Sequence, residues 1–189
     1  MVNIPTNLWI PAVIAPEKTL AKASKGKASL VDAAIVMALV GLVGGVIGGL
    51  SLGFIGFIAG AIGGAIGALI GSFVWNGAVW IMAKVLGGKG EFPQQYYLYS
   101  LFGAPIGLAS AVIGLVPLVG GIVSGLLSLY MLWPLTVSIK QVHRLDTVKA
   151  VLAWLIPGIV LAIIAAIIGA AITAMLVAYG MSQSNGVFG

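Results

Sequence analysis

The residues able to do chemistry are few, and none stands where a reaction would need it. The single histidine, His143, lies in a charged stretch with Lys140, Arg144, Asp146 and Lys149. A metal site there would need more imidazole, thiolate or carboxylate ligands, and a catalytic base would need a nucleophile to activate. The chain has no second histidine and no cysteine, so disulfides and thiolate chemistry are excluded as well. The four carboxylates, Glu17, Asp32, Glu91 and Asp146, are too scattered to suggest joint acid–base work. Glycine-x-glycine patterns occur inside apolar stretches, not between a strand and a helix, so they are not phosphate loops. No enzymatic activity, cofactor or metal is expected. What remains is a polar pair, Ser72 and Asn76, one helical turn apart in an apolar run. Such residues bond a neighbouring helix or, less often, contact a substrate.

The elements that hold these residues must be membrane helices. Of 189 residues, 61% are hydrophobic and 7% charged, against about 25% charged in a soluble domain. Residues 33–83 carry no charge, far more than the roughly 20 residues that cross a bilayer once. The basic stretch from Lys18 to Lys27 precedes too long an apolar run for a cleavable signal peptide, so the first apolar segment is expected to remain as an anchor.

The uncharged blocks divide into spans by length and turn signals. Two helices fit residues 33–83, with a glycine turn between Ser51 and Gly60. The next block breaks at Pro117 to Gly121. The last supplies one span, with Pro157 near its start. The expected fold is an all-α, polytopic transmembrane helix bundle of five spans, at about 33–55, 58–83, 97–116, 120–139 and 150–179. A segment of residues 1–32 precedes them and a tail of 181–189 follows.

With five spans, all nine basic residues fall on one side. They lie in the N-terminal segment, a loop at 84–96 and a loop at 140–149. Basic residues favour cytoplasmic loops, so the N-terminus is expected inside and the C-terminus outside. A net charge of +5 is thereby explained by topology, without nucleic acid.

The N-terminal segment is expected to hold a short interfacial helix. Pro16 suits its first position and Glu17 its positive end. Lys18, Lys22 and Lys25 recur on one face, with Leu8, Trp9, Ile10, Val13 and Ile14 upstream. These lysines set topology, and with Lys89, His143, Arg144, Asp146 and Lys149 they are candidate contacts for anionic lipid headgroups or a partner.

Glycine is the strongest repeated signal. Gly41, Gly45, Gly49 and Gly53 recur every four residues, as do Gly56, Gly60 and Gly64, then Gly63, Gly67 and Gly71. A face without side chains lets two backbones approach. The faces serve packing within the chain, a homo-oligomer or other membrane-protein contact, or a path for solute.

Several short segments together resemble one family. They are Ala15-Pro16-Glu17-Lys18-Thr19, Leu86 to Phe92, Pro105, the Pro117 to Gly120 turn, and Val142 to Ala150 with Pro157 beyond. The chain resembles the Yip family of polytopic membrane proteins, whose eukaryotic members are associated with Rab-type small GTPases and vesicle traffic. Arg144 replaces a small residue or lysine, and Asp146 a serine, in the family pattern. The resemblance implies five spans, a cytoplasmic N-terminus and a non-enzymatic role as a scaffold or membrane-organising protein. The short N-terminal segment leaves GTPase binding open and points to a bacterial or archaeal plasma-membrane member. A small channel or transporter lined by the glycine-rich helix pair is the alternative.

Overall fold

A computed structural model describes residues 5–185, and among them all regular structure is helical. After a short 3-10 turn come α1 (Trp9–Ile14), α2 (Pro16–Ala23), α3 (Leu30–Gly49) and α4 (Gly53–Val85). They are followed by α5 (Phe92–Ile113), α6 (Val119–Tyr130), α7 (Leu132–His143) and α8 (Thr147–Asn185). Four stretches are long and apolar enough to cross a membrane: Leu30–Val85, Phe92–Ile113, Val119–His143 and Thr147–Tyr179. The first contains two helices, because the chain turns back at Leu50–Leu52 and Gly53, with φ of 70°. Glycine takes that conformation without a side-chain clash. The turn therefore lies at the near edge of the 51–60 interval expected for it, and Gly53 belongs to the turn and not to a packing face.

Beyond the turn α3 and α4 lie backbone to backbone. A Cβ at Gly45 would collide with the carbonyl of Gly60, one at Gly41 with that of Gly64, and one at Gly49 with that of Gly56. Six of the expected packing glycines thus meet one another within the chain. Gly67 and Gly71, with Gly63, have open space where a Cβ would stand. They lie on the outer side of α4, so spacing alone did not separate the buried face from the exposed one.

α5 lies beside α3, with Gly107 against Val40 and Gly44 near Ala111. Its end turns sharply: Val119 N donates to Pro117 O at 2.7 Å across Leu118, which has φ 64° and ψ −59°. This is a γ-turn, rare for a residue with a side chain. The span expected at 120–139 is the apolar stretch Val119–His143, made of α6 and α7, which meet at Met131 three residues before Pro134. A proline lacks the N–H that would close the preceding turn.

At the chain's other turns, caps are explicit. Ser29 Oγ accepts from Asp32 N at 3.1 Å and starts α3. After α4, Gly87 has φ of 94°, Gly88 N donates to Ala83 O at 2.8 Å, and Gly87 N donates to Lys84 O at 3.0 Å. That is the Schellman ending, which satisfies carbonyls that the helix leaves free. Pro93 in the first turn of α5 then starts the next helix. The loop expected at 84–96 shrinks to six residues between α4 and α5.

The N-terminal segment forms two short helices, broken at Ala15-Pro16, where one interfacial helix was expected. Both dock on the bundle. Ala12 and Leu20 are fully buried, and Tyr130 OH donates to Val13 O at 2.6 Å. Pro16 and Glu17 occupy the first turn of α2 as expected. Because α2 ends at Ala23, the helical face of Lys18 and Lys22 does not extend to Lys25.

The chain divides into two compact units, Met1–Trp154 and Leu155–Gly189. The core of the first joins Val79 and Ala83 of α4, Leu98 to Ile106 of α5, Leu135 to Val142 of α7, and Ala150 and Ala153 of α8. In the second, α8 continues past Pro157 to Asn185, with Thr173 Oγ1 donating to Gly169 O at 2.9 Å. The helix thus overruns the tail expected at 181–189, whose last four residues lie outside those described, as do residues 1–4 of the N-terminal segment.

Candidate functional site at the charged end of the bundle

The apolar core closes around a polar chain that joins three helices. Tyr96 OH and Ser72 Oγ lie 2.7 Å apart. Asn76 Nδ2 donates to Ser72 O at 2.9 Å, and Gln95 Nε2 donates to Asn76 O at 2.9 Å. Gln95 Oε1 lies 2.8 Å from His143 Nε2. Since the amide nitrogen of Gln95 is committed to a carbonyl, its oxygen faces the imidazole, and Nε2 carries the proton. Gln95, Asn76 and His143 are at most 1% exposed. Asn76 Oδ1 and His143 Nδ1 have no partner. This polar chain ties α4, α5 and α7 together.

His143 is therefore not a loop residue. α7 continues beyond the apolar run because its buried face recurs at Leu135, Ser138, Ile139, Val142 and His143, while Lys140 and Gln141 point elsewhere. Arg144 then takes the left-handed conformation, φ 56° and ψ 37°, and ends the helix. Asp146 caps the next one: its Oδ1 accepts from Lys149 N at 2.9 Å. The loop expected at 140–149 is three residues long. Of its candidate contacts, His143 is in the core and Asp146 is occupied by the cap; Arg144 and Lys149 remain exposed.

The α4–α5 turn lies on the end of α7. Lys89 N donates to His143 O at 3.2 Å. A Cβ at Gly88 would stand 2.7 Å from His143 Nδ1, and one at Gly90 would stand 2.6 Å from Val142 O. Trp80 Nε1 donates to Gly90 O at 3.2 Å, and Lys84 pairs with Glu91 at 3.3 Å. Gln94 donates to the carbonyl of Ser24, which brings in the end of α2. Three chain segments thus enclose a cleft of about 390 Å³, lined by Lys25, Glu91, Gln94, Lys140, Gln141 and Arg144 among others. Among the described residues, Lys84–Glu91 is the one ion pair, so Lys25, Lys140 and Arg144 face the cleft without a carboxylate partner.

Residues 12–170 match the model of the Yip1 domain. The chain belongs to the Yip1-domain family. It is an integral membrane protein with a bundle of transmembrane helices. No curated protein and no solved structure matches it.

The Yip1 domain covers both segments that carried the resemblance at this end, Leu86 to Phe92 and Val142 to Ala150, and they touch directly. Ser72 and Asn76 also meet, as their spacing suggested, and Ser72 reaches α5 through Tyr96. Gln95 was not singled out from the sequence, since it fell in a stretch read as loop. Pro93 at the start of α5 is the signal that would have placed it on a helix. Lys18 and Lys22 of the Yip1 domain lie by a different cavity from Lys25.

Proposed function

We propose that this Yip1-domain protein acts by assembly, as a membrane scaffold whose charged end docks an acidic segment of another membrane protein. The observation that carries this reading is the cleft where α2, the α4–α5 turn and α7 meet. It presents three cations and one carboxylate, and that carboxylate is already paired with Lys84. An acidic peptide complements such a surface, and the pairing favours encounter and orientation more than raw affinity. The Yip1 family is generally one of non-enzymatic transport and trafficking proteins, in keeping with a role in which the domain gathers partners. The glycine-rich pair supports the same reading, because α3 and α4 close on each other and leave no path between them.

In this proposal the chain crosses five times, with α3, α4, α5, the α6–α7 pair and α8 as spans. The end holding every basic residue then faces the cytoplasm. Capture of partners from the native membrane by the parent and by Lys140→Glu with Arg144→Glu tests the docking claim. Partners retained by the parent should be lost from the double variant. Equal capture by both would refute it, and so would solute flux through the purified parent in otherwise tight liposomes.

A further inference from the structure

A second cavity, of about 590 Å³, opens between the N-terminal helices and α5. Its lining has two chemistries. Leu8, Pro11 and Ala23 with the ring of Tyr97 give an apolar floor, and Lys18, Lys22 and Lys27 stand at its rim. Among the described residues, no carboxylate lines it and none of the three lysines takes part in an ion pair. Tyr97 is on the second turn of α5, at the end of that helix nearest the charged turn before it. Trp9, next to Leu8, borders a narrow apolar groove formed by Val36, Val40 and Val43 of α3 with Leu108 of α5.

We infer that this cavity holds the headgroup of an anionic phospholipid, with phosphate at Lys18, Lys22 and Lys27 and an acyl chain directed along the α3–α5 groove. A point charge on a flexible stem suits a phosphate without demanding one geometry, and basic pockets beside membrane helices bind anionic headgroups by that means. A free anion would use the lysines but gain nothing from the apolar floor. A zwitterionic lipid would use the floor but bring a cation to the rim. Only an anionic lipid is matched by both. The inference stands apart from the cleft proposal, because Lys25 faces the cleft and none of the cavity's lysines does.

The test uses the full chain in detergent, with phosphatidylglycerol or phosphatidylcholine titrated into the micelles and bound lipid counted by native mass spectrometry. Lys18→Gln, Lys22→Gln and Lys27→Gln together should weaken phosphatidylglycerol binding by tenfold or more. Lys89→Gln, Lys140→Gln and Lys149→Gln, with the same change of charge, should weaken it less than twofold. Ala23→Phe, which fills the cavity and keeps its lysines, should also block binding. Equal losses in the two triple variants would mean diffuse charge attraction and overturn the site. Equal binding of phosphatidylcholine, or full competition by millimolar inorganic phosphate, would overturn the anionic-lipid assignment.

Discussion

His143 Nε2 lies 2.8 Å from Gln95 Oε1, a residue 48 positions earlier in the chain. The contact fastens the end of α7 to the start of α5 inside the core, directly beneath the cleft. Removing one partner leaves a buried donor unsatisfied, which costs about 1–3 kcal/mol. Gln95→Ala should therefore lower the melting temperature in detergent, whereas Gln141→Ala, exposed on the same helix end as His143, should not. Gln95→Leu combined with His143→Phe removes both polar partners and should recover part of the loss. If the double variant is no better than the sum of its parts, the contact is not the source of the effect.

The glycine contact gives a sharper contrast. Leucine at Gly45 or Gly60 must drive α3 and α4 apart, and overpacking of this kind costs about 1–3 kcal/mol or more. The lost contact is not repaid, since lipid tails are as apolar as leucine. Gly67→Leu enters open space and should be neutral, or stabilising through helix propensity by up to about 1 kcal/mol. Melting curves of the three variants decide it, and equal behaviour would place the glycine pair outside the packing contact.

Much of this architecture was legible because lipid imposes simple constraints. Charge-free runs marked the membrane helices, and the charged segments between them marked Leu86 to Phe92 and Val142 to Ala150, which meet in the fold. Four-residue glycine spacing marked the α3–α4 contact but could not tell Gly60 from Gly67, since both spacings are helical and only the partner helix chooses. The burial of His143 was hidden for a related reason. Lys140 and Arg144 look like a solvated loop, yet α7 continues because its other face is covered by α5 and the α4–α5 turn. Asp146 stands among the expected lipid or partner contacts, yet an aspartate three residues before a free helix N–H is also an ordinary capping signal, and its Oδ1 accepts from Lys149 N.

That cap supplies the third prediction. Asp146→Ala should cost about 0.5–2 kcal/mol by freeing the N–H of Lys149, and Asp146→Asn should restore most of it. A thermal shift between these two variants checks the role, and equal stability of Ala and Asn would contradict it.

The γ-turn at Leu118 supplies the fourth. A residue with a side chain held in a sparsely populated backbone region costs about 1–3 kcal/mol. Leu118 is 88% exposed, so Leu118→Gly gives up little packing and should leave the melting temperature unchanged or raise it. A clear fall would show that the leucine is held by contacts its exposure does not reveal.

In the proposed function, partners meet this protein at the cleft of its charged end. A photo-crosslinking residue is placed at Gln141 or Gln94, in the cleft, and at Leu52 or Leu118, in the α3–α4 and α5–α6 turns, and native membranes are irradiated. Discrete protein adducts should form from the two cleft positions, be lost when Lys140→Glu and Arg144→Glu are added, and be missing from the turns. Adducts from Leu52 or Leu118 with none from the cleft would contradict it.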